Sequence, residues 1–232
     1  MKIWNTRSGY DLIQVLAGRS NVFLLTDRQN NILIDTSIRL AWNKLDRRLK
    51  NLGIENIDYL ILTHSHFDHA ANAFSIREKY RAKVIIQANE AQFLTSGINH
   101  IPAGTGNFTR TLMNMAGYIA PLMRNKPCNY DILIESGYDL KPAGFNAYVM
   151  YTPGHSPGSS SLIIDDEIAL VGDCMIGSFK STVFPPFADD IHETFESWRK
   201  LLETKCTLFI PSHGKEIKRE RVEKTLADLY KK

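Results

Sequence analysis

The segment from Ile57 to Thr63 carries the apolar core Tyr59-Leu60-Ile61-Leu62 and runs without a break into His64-Ser65-His66-Phe67-Asp68-His69. An uninterrupted apolar run of this length reads as a strand buried on both faces, which requires a sheet covered by helices. A polar cluster at the end of such a strand therefore sits at the mouth of an α/β sheet. Histidine is neither a good strand former nor a good turn residue. Titratable side chains packed this closely repel or neutralise one another unless a cation holds them, so the pattern predicts metal binding. In an extended segment His64 and His66 point the same way, whereas Asp68 and His69 begin the next turn and face a neighbouring ion. One loop can thus serve two metals.

The surrounding sequence supports the same class. Asp11 to Leu16, Asn21 to Thr26 and Asn31 to Asp35 read as three antiparallel strands. From Ile38 to Leu52 the apolar residues fall mostly on one helical face, with Asn51 and Gly53 as stop signals. A helix over Ala70 to Tyr80 and a strand over Lys83 to Gln87 complete a β-α-β unit around the cluster. Residues 90–129 break the rhythm with Gly97, Gly104 and Gly106, and read as an insertion whose apolar segment, Phe108 to Met123, is compatible with one or two helices. Further strands are expected at Asp131 to Glu135, Ala147 to Tyr151, Ser160 to Asp165, Glu167 to Val171 and Thr207 to Ile210. Helices are expected at His192 to Glu203 and in the tail, where Val222, Leu226 and Leu229 have helical spacing. Both halves run strands, helix, then a strand ending in histidine, the pattern of a duplicated two-sheet sandwich.

At 232 residues the chain is expected to form one domain, 1–232, with an ordinary core. The net charge of +3 does not describe a basic face. From Lys215 to Lys232 there are seven Lys or Arg and four Asp or Glu, a surplus equal to the whole excess. The body is formally neutral, which argues against nucleic acid as partner. Cys128, Cys174 and Cys206 lie far apart with no C-x-x-C spacing, so a reducing, cytoplasmic setting is expected. The N-terminus lacks the apolar core of a signal peptide, and no stretch approaches the roughly 20 apolar residues of a spanning helix. No membrane partner is expected.

Three more segments place a candidate ligand where a strand gives way to a Gly- or Pro-rich turn. They are Thr152-Pro153-Gly154-His155-Ser156-Pro157-Gly158, Val171-Gly172-Asp173-Cys174 and Pro211-Ser212-His213-Gly214. With these in view, the chain closely resembles the metallo-β-lactamase superfamily, whose His-x-His-x-Asp-His signature is followed in order by a His, an Asp and a final His. The likeness spans almost the whole chain and includes Asp35, similar to an early aspartate that braces the metal loop. It implies a four-layer αββα sandwich of two mixed β-sheets flanked by helices. It also implies that His64, His66 and His155 hold one metal, Asp68, His69 and His213 a second, and that Asp173 bridges them. Zinc suits imidazole and carboxylate ligands, and iron and manganese accept the same set.

The resemblance further implies a metal-dependent hydrolase that uses a bridging hydroxide to cleave an ester, thioester or lactone of a small molecule, with Asp68 orienting the nucleophile or passing on its proton. A bridging Asp173 argues against a true β-lactamase. The Thr-Pro-Gly-His-Ser-Pro-Gly stretch is similar to that of glyoxalase II-like thioesterases and acyl-homoserine lactonases, which favours carbonyl substrates. After Asp173, however, the Gly-Cys-Gly-Arg run of the glutathione-linked branch is missing, and the chain ends soon after His213. Cys174 reads as a small core residue rather than a ligand. The rival activities are a mononuclear iron persulfide dioxygenase and a phosphodiesterase or nuclease. The insertion and the loop Ser178 to Asp190 are expected to wall the substrate site, with Phe108, Met113, Met115, Tyr118, Phe184 and Phe187 as apolar lining and Arg110, Arg124 or Lys180 meeting an acidic group. The same apolar stripe is also compatible with a core or a homodimer contact.

Overall fold

The apolar strand before the histidine cluster forms as β5 (Tyr59–Ile61) and pairs in parallel on both sides, as its doubly apolar pattern requires. The computed structural model describes residues 1–116, 124–180 and 182–229, with 112–116 described by backbone alone. They divide into two compact units, one made of 1–100 and 124–135, the other of 101–116, 136–180 and 182–229.

The first unit contains a seven-stranded mixed sheet. Its antiparallel part is β1 (Ile3–Asn5), β2 (Asp11–Leu16), β3 (Val22–Thr26) and β4 (Asn31–Ile34). The parallel part continues through β5 to β6 (Lys83–Gln87) and β7 (Ile132–Ile134). A 3₁₀ turn at Arg39–Ala41 leads into α1 (Trp42–Asn51), which buries Leu45 and Leu49, one helical turn apart. The helix expected at Ala70 to Tyr80 is two pieces, α2 (Phe67–Ala70) and α3 (Ala73–Tyr80), and Arg81 in a left-handed conformation ends the second. After β6, α4 (Ala88–Ser96) starts with the Gln87 side chain accepting from the Asn89 N–H at 2.6 Å and stops at Gly97. The core of this unit joins Leu24, Leu33, Leu60, Val84 and Ile86 of the sheet, with Leu62 just after β5, to Leu45, Leu49, Ile76 and Leu94 of the helices.

The second unit begins with α5 (Asn107–Ala116), and Met113 and Met115 lie among its residues described by backbone alone; Tyr118 is outside the described residues. Its six-stranded mixed sheet runs β13-β12-β11-β10-β9-β8. The strands are β8 (Gly137–Asp139), β9 (Ala147–Tyr151), β10 (Ser160–Ile164), β11 (Ile168–Gly172), β12 (Leu208–Pro211) and β13 (Ile217–Lys218). Only β11 and β12 pair in parallel, across α6 (Ile191–Glu203). That helix is capped by Asp190, which accepts from the Glu193 N–H at 2.9 Å, and buries Trp198 and Leu201. With α7 (Arg219–Leu229), it closes a core of Ile163, Val171, Trp198, Phe209 and Val222. Among the described residues no helix is long and apolar enough to cross a membrane.

Candidate metal centre

In the first unit, β4 and β5 end side by side, and their loops carry the cluster. Asp35 follows β4 with φ of 60°, a left-handed conformation that aspartate tolerates better than most residues. This turn brings its carboxylate under the histidine loop. Asp35 accepts from the Thr63 N–H at 2.9 Å, from the Thr63 hydroxyl at 2.9 Å and from His69 Nδ1 at 2.8 Å. The carbonyl of His69 in turn accepts from the N–H and the hydroxyl of Thr36, each at 2.7 Å. His64 and His69 are fully buried and His66 nearly so.

The rings of His64 and His66 are 4.4 Å apart and nearly perpendicular, and those of His64 and His69 are 3.9 Å apart. The expectation that His64 and His66 share a side is met. Asp68 and His69 lie on α2, as the turn predicted, with Asp68 Oδ1 3.8 Å from His69 Nε2. The neutral imidazole is the form that binds metal.

In the second unit, Asp173 follows β11, and its Oδ2 lies 3.6 Å from His155 Nε2 and 3.2 Å from His213 Nε2. The three residues arrive from the ends of β9, β11 and β12, so one rim of the sheet presents the whole set. His155 Nδ1 donates to the Phe187 carbonyl at 2.9 Å. A carbonyl can only accept, so the ring proton sits on Nδ1 and a neutral His155 turns its lone pair out through Nε2. Asp35 acts on His69 in the same way. This donor chemistry fits divalent metal ions: imidazoles with fixed tautomers, alternating with carboxylates, at positions with little solvent.

The glycines beside these candidate ligands are required by close packing. Gly154 has φ of +127°, and a Cβ there would overlap the backbone nitrogen of Thr194 at the start of α6. Gly214 has φ of +94°, and a Cβ there would overlap the backbone of Gly177, whose N–H donates to the His213 carbonyl at 2.8 Å.

A family model for the metallo-beta-lactamase superfamily matches residues 15–213. The chain belongs to the metallo-beta-lactamase superfamily. It is 32% identical over 154 residues to a probable metallo-hydrolase of Methanocaldococcus jannaschii, covering 66% of either chain. Against a hydroxyacylglutathione hydrolase of Haemophilus influenzae it is 27% identical over 177 residues, covering 75% of this chain and 76% of that protein. An archaeal superfamily protein from Sulfolobus tokodaii shares the fold, with a TM-score of 0.63, 21% identity, and coverage of 91% of this chain and 80% of that one. The α/β architecture of two mixed sheets with helices is the superfamily's own, as the sequence resemblance implied.

The other residues singled out in the sequence have separate settings. Cys174 is buried in the second core, burial pushes its thiol up to about 12, and it is a packing residue. Phe184 packs against Phe195 and Trp198 of α6. Phe108, Arg110 and Lys180 are exposed. Arg124 lines a cleft of about 580 Å³ with Arg39, Trp42 and Lys126 in the first unit. The two segments expected to wall a substrate site do meet: Thr105 N–H donates to the Pro186 carbonyl at 3.0 Å, and Gly104 bridges Phe187. Sequence reasoning missed Thr63 and the Phe187 carbonyl. Thr63 stood beside the signature; a backbone carbonyl leaves no trace in residue type.

Proposed function

We propose that the chain is a two-metal hydrolase that cleaves an ester, thioester or lactone bond of a small molecule, with His64, His66 and His155 on one ion, Asp68, His69 and His213 on the other, and Asp173 shared. The observation that carries this reading is the paired tautomer control of His69 by Asp35 and of His155 by the Phe187 carbonyl. A histidine that donates one ring N–H inward turns its other ring nitrogen outward, where a neutral imidazole can bind a metal. Zinc is the proposed ion. When bound, such ions would acidify a water down to a pKa of about 7 and polarise a carbonyl oxygen.

The chain's own residues have the remaining roles. Asp68, about one-seventh exposed, keeps a carboxylate oxygen close to His69 Nε2 and can hold the proton lost by the attacking water. The buried imidazoles exclude competing water from the ligand side. The residues 101–116 and 178–190 are proposed as substrate walls. Carbonyl substrates are favoured by the turn around His155 and by likeness to a hydroxyacylglutathione hydrolase; the near-neutral body disfavours a nuclease. Cys128, Cys174 and Cys206, all buried and without a disulfide, support a reducing, cytoplasmic setting.

Turnover of thioester, lactone, phosphodiester and persulfide substrates by the zinc, manganese and iron forms tests the proposal, with Asp68→Ala as control. Hydrolysis of a carbonyl substrate that Asp68→Ala abolishes supports it. Oxygen uptake by a one-iron form, or turnover untouched by Asp68→Ala, rejects it.

A further inference from the structure

Ser65 stands between the two imidazoles of the signature, and Glu90 lies at the start of the region read from sequence as an insertion. The Ser65 N–H donates to Glu90 Oε2 at 2.9 Å, and the Ser65 hydroxyl donates to the same oxygen. Both side chains are buried, Glu90 completely. The geometry points to Glu90 as a positioning residue that holds the His64-Ser65-His66 segment in its metal-binding form, a role that rests on the metal reading above.

Three observations carry it. Side chains alternate along an extended backbone, so Ser65 turns away from the side shared by His64 and His66, and a grip on Ser65 fixes both imidazoles at once. The grip is two directional hydrogen bonds, from the N–H and the hydroxyl of Ser65, that converge on one oxygen of Glu90. The same helix also supports His66: Phe93 of α4 lies 5.2 Å from the ring of His100, which stacks on His66 at 5.8 Å and 17°. Asp35 thus anchors the loop through Thr63 and His69, and Glu90 anchors it through Ser65 from α4. A buried carboxylate is costly to keep unless it has such a task.

Wild type, Ser65→Ala, Glu90→Gln and the double variant, stripped of metal, are titrated with zinc against a chromogenic chelator, and thermal unfolding of each stripped protein is measured alongside. The expected result is a zinc affinity about tenfold lower in each single variant, with the double variant no weaker than the worse single one. Affinity within twofold of wild type in Ser65→Ala overturns the proposal, whatever Glu90→Gln does to folding. So does a fall in the melting temperature of the stripped protein with affinity unchanged, because that is packing alone. Losses that add in the double variant also overturn it. A wild type that takes up no zinc rejects the metal reading itself, whereas a wild type that binds alongside variants that bind equally rejects only the role of Glu90.

Discussion

His69 donates from Nδ1 to Oδ2 of Asp35 across 2.8 Å, and neither side chain reaches solvent. The aspartate thereby sets which nitrogen of His69 faces outward, while its other bonds clamp Thr63 at the root of the loop. Asp35→Asn keeps the size but replaces one acceptor oxygen by a donor, which opposes Thr63 or His69. Zinc affinity is expected to fall about 10- to 100-fold, measured by chelator competition. A change of less than twofold contradicts the bracing role.

Gly154→Ala and Gly214→Ala each force a methyl group into backbone and impose a strained φ. Each is expected to cost about 2 kcal/mol or more. Gly9→Ala is the control: its φ is +84°, but nothing lies within 4 Å of the added Cβ, so only the conformational cost of about 1 kcal/mol remains. Chemical denaturation of the three variants checks the order, and equal losses contradict it.

All three thiols are expected to be inert in the folded chain. Burial pushes Cys128 and Cys206 up to about 11 and Cys174 up to about 12. At pH 8 the native protein should show no fast reaction with a thiol reagent, and three thiols should react after denaturation. A rapidly labelled native cysteine contradicts the burial of that thiol in its core.

Arg77 holds the carboxyl of Asp131 below its ordinary value through Nη2 at 3.0 Å and Nε at 3.3 Å, and Asp131 also accepts from the Val84 N–H at 2.8 Å. Because the folded carboxyl binds protons less readily than the unfolded one, this stability is present above about pH 4 and is lost as pH falls through the folded value. The pair is nearly one-third exposed, so salt screens it and its worth is about 1 kcal/mol or less. Melting temperatures of wild type and Asp131→Asn should differ at pH 6 and converge towards pH 3. Parallel curves contradict the assignment.

The candidate ligands His64, His66, Asp68 and His69 were legible because three histidines and an aspartate at the end of an apolar strand have no packing rationale, whereas His155, Asp173 and His213 stood out only through the family resemblance. The long strands were legible from their periodicity; β6 and β9 begin and end where the pattern placed them. β1, β8 and β13 span three residues or fewer, too short for any period to show. α4 was hidden because Glu90 sits on its buried side and spoils the apolar stripe. The tie between Asp35 and His69 joins residues 34 positions apart and exists only once β4 and β5 pair.

Metal content tests the central claim most directly. The chain is stripped, reloaded with zinc, freed of excess and measured by elemental analysis against protein concentration. Two zinc ions per chain, falling to one in Asp68→Ala, are the predicted result; one ion per chain in both proteins, or a single iron retained from expression, contradicts the two-metal account.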